Sequence, residues 1–262
     1  GGPQGRRRVT VLSAGGGISQ SAPLSIAGAT TLTAGAGTGD IILNNPANSL
    51  RDVTVNSGRD VTLKSAYNAG VTLSLPQTAG GLRNVTINYA SAPSVAFYAI
   101  GSGCGGWWCG WNQPVQLSGN LAVTSGGTIV HHPYSWLDLT GVASSSTFTG
   151  PGDITLNRGE NNLGAVTVNP TLATASVNLY NNSANANLTL SAPVTNLTLT
   201  QPNASFTLPA NQVTGSLYLN NQGGTSTTDT LTVGAQTLTG SLDLRADSGI
   251  NPLLPASVWN VG

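Results

Sequence analysis

Every cysteine and histidine of this 262-residue chain, and most of its tryptophan, falls between Tyr98 and Trp136. The stretch holds both cysteines, Cys104 and Cys109, both histidines, His131 and His132, and four of the five tryptophans, Trp107, Trp108, Trp111 and Trp136, with Tyr98 and Tyr134. Two cysteines five positions apart suit a disulfide, which in so small a loop is worth roughly 2 kcal/mol by restricting the unfolded chain. The alternative is zinc held by the cysteines and a histidine. Neighbouring strand residues point to opposite faces, so at most one of His131 and His132 is well placed for it. Tyr98, Trp107, Trp108, Trp111, Tyr134 and Trp136 form a candidate contact surface, able to stack on sugar rings or anchor a protein partner. They account equally for a small satellite core under a glycine-rich loop.

Catalytic signatures fail one by one. Gly101-Ser102-Gly103-Cys104-Gly105-Gly106 fits a dinucleotide pattern on paper, but no helical period follows to receive a pyrophosphate, and 34 glycines make a chance match expected. Cleavage of polysaccharides needs carboxylates gathered in a cleft. Asp40 and Asp153 each follow a glycine at equivalent positions of a repeat, where a turn-forming role explains them. Asp138, near His131 and His132, is the one acid-base grouping, and it reads as a polar surface cluster. Aspartates are too few for calcium-binding repeats. The expectation is no enzyme, no cofactor and no metal, with a polysaccharide-processing enzyme on the same fold as the alternative.

The elements that must carry these side chains are written in a repeat. Gly39-Asp40-Ile41-Ile42-Leu43-Asn44, Asn48, Leu50 and Val53-Thr54-Val55-Asn56 return 113 positions later as Gly152-Asp153-Ile154-Thr155-Leu156-Asn157, Asn161, Leu163 and Val166-Thr167-Val168-Asn169. Short runs of the same grammar recur throughout, among them Val61-Thr62-Leu63, Val85-Thr86-Ile87, Leu197-Thr198-Leu199 and Leu231-Thr232-Val233. Alternating apolar residues and threonine is the two-residue period of a strand buried on one face. Runs from Ile154 onward start every 9 to 14 residues, too close for crossover helices. The chain is therefore expected to turn a corner after each strand and coil, each strand stacking in parallel on its equivalent one coil earlier. Coils of roughly 20 to 25 residues give about eleven turns. Val53, Val55, Val166 and Val168 point inward on this reading, and Thr54 and Thr167 outward. An antiparallel sandwich is the competitor, but Asn-Gly and Asp-Gly hairpin pairs are missing.

Leu24-Ser25-Ile26-Ala27-Gly28-Ala29-Thr30-Thr31-Leu32-Thr33-Ala34-Gly35, the Gly39 to Asn45 string and Asp52-Val53-Thr54-Val55-Asn56-Ser57-Gly58-Arg59-Asp60-Val61-Thr62-Leu63 resemble the repeats of filamentous haemagglutinin-type exoproteins. These are large Gram-negative adhesins exported by two-partner secretion, whose passenger is a right-handed parallel β-helix. The resemblance covers residues 9 to 89, weakens over 144 to 250 and is absent between 90 and 143. It implies an all-β, right-handed parallel β-helix, secreted or displayed at the cell surface, with adhesion or filament formation as its role. The secretion domain's Asn-Pro-Asn-Leu motif is not evident; Asn169-Pro170-Thr171-Leu172 is a near miss.

Residues 1 to 262 are expected to form one β-solenoid domain with a loop insertion around 98 to 136. Net charge is zero and only 7% of residues are charged, so nothing tracks a nucleic-acid backbone. Arg6-Arg7-Arg8, the single basic run, reads as a solvated tail or an anionic contact. No apolar run reaches the length of a membrane helix. With no methionine and no signal peptide at Gly1, the chain is expected to be an excised or processed segment. Uncapped coils then imply either further coils or copies stacked end to end. Carbohydrate or protein receptors are the other expected partners. An ice-binding threonine ladder, as in Thr147-Phe148-Thr149 or Thr198-Leu199-Thr200, is broken by irregular coil length. Sequons at Asn84, Asn181, Asn187, Asn196 and Asn203 follow largely from composition.

Overall fold

The computed structural model describes residues 8–13, 15–76, 81–100, 113–225, 228–252 and 260–261. These residues form an all-β fold of short strands without a helix, and the pairings between strands are parallel. Successive coils stack as a β-solenoid. The antiparallel competitor is excluded. Two compact units divide the chain, Gly1–Gly141 and Val142–Gly262.

In the first unit the longer sheet contains, among the described residues, Val9–Leu12, Thr30–Thr33, Val53–Ser57, Val71–Pro76, Ser94–Ile100 and Thr128–His131 in stacking order. The shorter one contains Ile18–Ser19, Ile41–Leu43, Val61–Lys64, Val85–Tyr89 and Leu121–Ser125. In the second unit the longer sheet runs Ile154–Leu156, Ser176–Tyr180, Asn196–Thr200, Leu217–Asn220 and Leu242–Arg245. The shorter runs Ser145–Gly150, Ala165–Pro170 and Asn187–Leu190, after which Phe206–Leu208 opens a separate sheet with Leu231–Val233 and Ile250–Pro252. The pairing is therefore broken on one face of the second unit while it continues on the other.

Alternation builds the core as the residue types require. Val53, Val55, Val166 and Val168 are at most 3% exposed, while Thr54 and Thr167 between them are half-buried on the outer face. Stacked equivalents such as Ile41, Val61, Val85 and Leu121 make an apolar column, one residue per coil. Coil length varies along the stack. It is shorter where Val177 pairs with Leu197 and Leu197 with Leu217, and longer where Thr30 pairs with Val53.

The stretch expected to project as a loop, 98 to 136, is largely strand. Ser94–Ile100, Gln113–Leu117, Leu121–Ser125 and Thr128–His131 are stacked, and Ser135–Leu139 pairs with Gln113–Leu117. Here the coil lengthens further, to the full separation between Val95 and its partner Ile129. Its apolar alternation was hidden because large rings and proline occupy outer positions where threonine stands elsewhere: Phe97, Ala99, Val115, Leu117, Ile129 and Leu137 still point inward and are buried. Within that stretch only 101–112 is undescribed, so Cys104, Cys109, Trp107, Trp108 and Trp111, with the disulfide expected of the cysteines, lie outside the described residues.

Candidate functional site

Strand geometry sorts the chemically able residues of the first unit into inner and outer sets. His131 stands in register with the buried Phe97, and the backbone N–H of His132 donates to the Phe97 carbonyl at 2.7 Å. The next residue of each strand turns outward, so Tyr98 and His132 meet edge to face with ring centroids 4.9 Å apart. His131 Nδ1 lies 3.1 Å from the His132 carbonyl.

A turn then carries the third ring into place. The His132 carbonyl accepts from the Ser135 N–H at 2.9 Å, and His132 Nδ1 accepts from the Tyr134 N–H at 3.4 Å. This sets the Tyr134 ring 5.5 Å from that of His132, with 39% of the residue exposed. In Ser135–Leu139, Ser135, Leu137 and Leu139 are buried, which turns Trp136 and Asp138 to the outer face, both half-buried. Trp136 is level with Pro114, and Asp138 with Gln116, whose Nε2 donates to Asp138 Oδ2 at 3.0 Å. Tyr98 and His132 thus lie on the outer face of the longer sheet with Tyr134 beside them, while Trp136 is on the outer face of the separate pair formed by Gln113–Leu117 and Ser135–Leu139. Asp138, grouped with the histidines in the sequence and read there as part of a polar surface cluster, has the Gln116 amide as a hydrogen-bond donor.

Carboxylates elsewhere in the first unit are tied down. Arg59 makes a two-pronged bond to Asp40, with Nε to Oδ1 at 2.9 Å and Nη2 to Oδ2 at 2.8 Å. One coil on, Arg83 grips Asp60 in the same way. These guanidinium hydrogen bonds hold both carboxyls below the usual Asp range, and the Asp60 and Asn84 backbone N–H groups add to the effect. The same column pins the start of each strand. Asp40 Oδ1 accepts from the Asp60 N–H, Asp60 Oδ1 from the Asn84 N–H and Asn84 Oδ1 from the Asn120 N–H, at 3.3, 3.2 and 3.0 Å. In the second unit Asp153 Oδ1 accepts from the Ser176 N–H at 2.8 Å and Asn196 Oδ1 from the Ser216 N–H at 2.9 Å. The Gly-Asp pair of the repeat therefore serves stacking rather than a local turn. Gly39 passes so close over the Gly16 carbonyl that a Cβ would collide with it.

Amide side chains are buried at the corners. Asn48 and Asn161, equivalent in the repeat, are fully buried, and each donates from Nδ2 to the carbonyl of the leucine five positions earlier, Leu43 and Leu156, at 3.2 and 2.8 Å. Asn161, Asn181, Gln201 and Asn221 follow at equal intervals in the second unit, none more than 1% exposed. That interval, shared by an amide side chain at each step, was the signal available in the sequence.

Among the described residues no group of three or more His, Cys, Asp and Glu could hold a metal ion. The zinc alternative requires Cys104 and Cys109, which lie outside them. A cleft of about 320 Å³ opens at the first described coil, lined by core-column residues such as Val9, Ile18, Leu32 and Leu43.

Residues 7–56 and 113–169 match a family described as "Repeats of unknown function (DUF5649)". The two matches end at Asn56 and Asn169, the last positions of the two copies of the internal repeat. No curated protein and no solved structure matches the chain.

Proposed function

We propose that this β-solenoid repeat protein is a structural and adhesive part of an extracellular assembly, of the filamentous haemagglutinin type that its repeats resemble. It acts at the surface of a Gram-negative cell or in the medium, as coils of a longer adhesin or as a subunit stacked end to end with copies of itself, and it is not an enzyme. The observation that carries this reading is the use made of side chains. Where a carboxyl is shifted, at Asp40, Asp60 and Asp243, an arginine bond first of all shifts it downward, which leaves the group a poor general acid; for Asp40 and Asp60 the arginine comes from the next coil, which suits coil-to-coil fastening. The outer faces are coated with Thr, Ser and Asn, and the recurrent unit is the coil itself.

Electron microscopy of the purified chain, together with labelling of intact cells that express the parent protein, tests the proposal. Rods or filaments, with label on intact cells, are the expected result. Label found only after lysis would overturn the extracellular assignment, and isolated short rods that stay monomeric at high concentration would overturn stacking. Turnover of a polysaccharide that Asp138→Asn abolishes would overturn the non-catalytic assignment.

A further inference from the structure

Two of the sequons are the same tripeptide in the same kind of place. Asn187-Leu188-Thr189 and Asn196-Leu197-Thr198 each open a strand of the second unit, with the leucine turned inward and buried. Strand alternation therefore sets each asparagine and the hydroxyl two positions on together on the outer face. Their neighbours differ. Asn196 is held from both sides, since its Nδ2 donates to Ser176 Oγ at 3.0 Å and its Oδ1 accepts from the Ser216 N–H at 2.9 Å. Asn187 stands level with Ala165, which has no polar side-chain atom, and on its other side the sheet ends. Among the described residues its amide has no hydrogen-bond partner, and both Asn187 and Thr189 are exposed.

The remaining sequons are engaged as Asn196 is. Asn181 is 1% exposed and bonded through both amide atoms. Asn84 Nδ2 donates to Asp60 Oδ1 at 3.1 Å while its Oδ1 accepts from the Asn120 N–H. Asn203 Nδ2 donates to the carbonyl and amide oxygens of Asn182 at 3.1 and 2.7 Å. Four of the five amides fasten one coil to another, and the nitrogen of Asn187 is left free to react. We propose that Asn187 is an acceptor for N-linked glycosylation in the folded chain. The donor is a sugar activated as a diphosphate ester. The Asn187 amide nitrogen bonds to the anomeric carbon, the bond from that carbon to the diphosphate oxygen breaks, the diphosphate leaves with the electron pair, and the amide gives up one proton to solvent. Thr189, on the same face, presents the hydroxyl by which such enzymes recognise the acceptor. The acceptor strand has a partner on one edge alone, and a cleft lined by Asn187 and Thr189 opens along the other.

Mass-spectrometric site mapping of the folded chain, incubated with UDP-glucose and a soluble N-glycosyltransferase that takes Asn-x-Ser/Thr, tests the proposal. Synthetic peptides spanning 185–191 and 194–200 supply the unfolded reference, and they should react alike because their central tripeptide is the same. In the folded chain Asn187 should be labelled roughly tenfold faster or more than Asn196, whose amide must first give up two hydrogen bonds. Thr189→Ala should abolish labelling of Asn187 and, at an exposed side chain, leave the circular dichroism melt unchanged. The chain isolated from cells that make it, mapped in the same way, should carry sugar at Asn187. An unlabelled Asn187 in the folded chain, labelling of Asn196 at the same rate, or a native chain without sugar at Asn187 would each overturn the proposal.

Discussion

Single side chains hold this solenoid where its strands cannot. Asn181 shows how: Oδ1 accepts from the Leu163 N–H and Nδ2 donates to the Gly164 carbonyl, at 2.9 and 2.8 Å, inside a corner that excludes water. Asn181→Ala would leave both backbone groups buried and unpaired, at a cost of roughly 1–3 kcal/mol. Asn221 occupies the equivalent place two coils on, yet among the described residues neither its amide oxygen nor its nitrogen has a hydrogen-bond partner. Asn221→Ala should cost far less than Asn181→Ala, and equal losses in urea unfolding would show that burial, and not pairing, sets the effect. The arginine-bound aspartates give a pH signature. Their carboxyls titrate below the ordinary value of 3.8 when folded, so they add stability that is complete above that value and fades as the pH falls through the lower folded one. The melting temperature should therefore drop below pH 4, and Asp60→Asn should flatten that drop; parallel profiles for the two proteins would remove Asp60 from the account. The bonds are half-exposed, so their share near neutrality is small.

At the scale of the element, the alternation of apolar residues with threonine was enough to place the inward set from sequence, because every strand meets the same column on one side and water on the other. Val166→Asp puts an unpaired charge into that column and should open the coils beside it, seen as a lower melting temperature and a loss of strand dichroism. An unchanged melt would mean that Val166 faces outward. Legibility ended where the outer face stopped being threonine. Tyr98, Trp136 and His132 hid strands whose inner residues, Phe97, Leu137 and Ile129, follow the same rule as the rest. The outer aromatics were legible as a set of residue types, but the Gln116 to Asp138 contact was not, since it depends on a whole-coil register that no local pattern encodes. Nor does any residue announce the break beyond Asn187–Leu190. There a cleft of about 260 Å³, lined by Leu188, Leu190, Thr207 and Leu208, takes the place of a strand pairing. Amides of Asn187–Leu190 should exchange with solvent faster than those of Asn196–Thr200, which is paired on both sides. Equal protection would mean that the break is closed in solution.

Across the molecule, order is passed from coil to coil, since each meets little beyond the coil before it and the coil after it. A lesion such as Val166→Asp should then be felt locally, and denaturant should remove structure in more than one step. What keeps such a chain in register is the column of Asp40, Asp60 and Asn84, each of which accepts from the N–H of the residue just ahead of the next strand, Asp60, Asn84 and Asn120. The join is made at the strand start, so the length of chain spent in reaching it is left free. Coils as unequal as Val177 to Leu197, Thr30 to Val53 and Val95 to Ile129 are all accommodated. For evolution this separates growth from stability. Insertions can accumulate at the corners while the seats stay fixed, and the coil from Val95 to Ile129, already lengthened, is the natural socket into which a foreign epitope could be spliced for display.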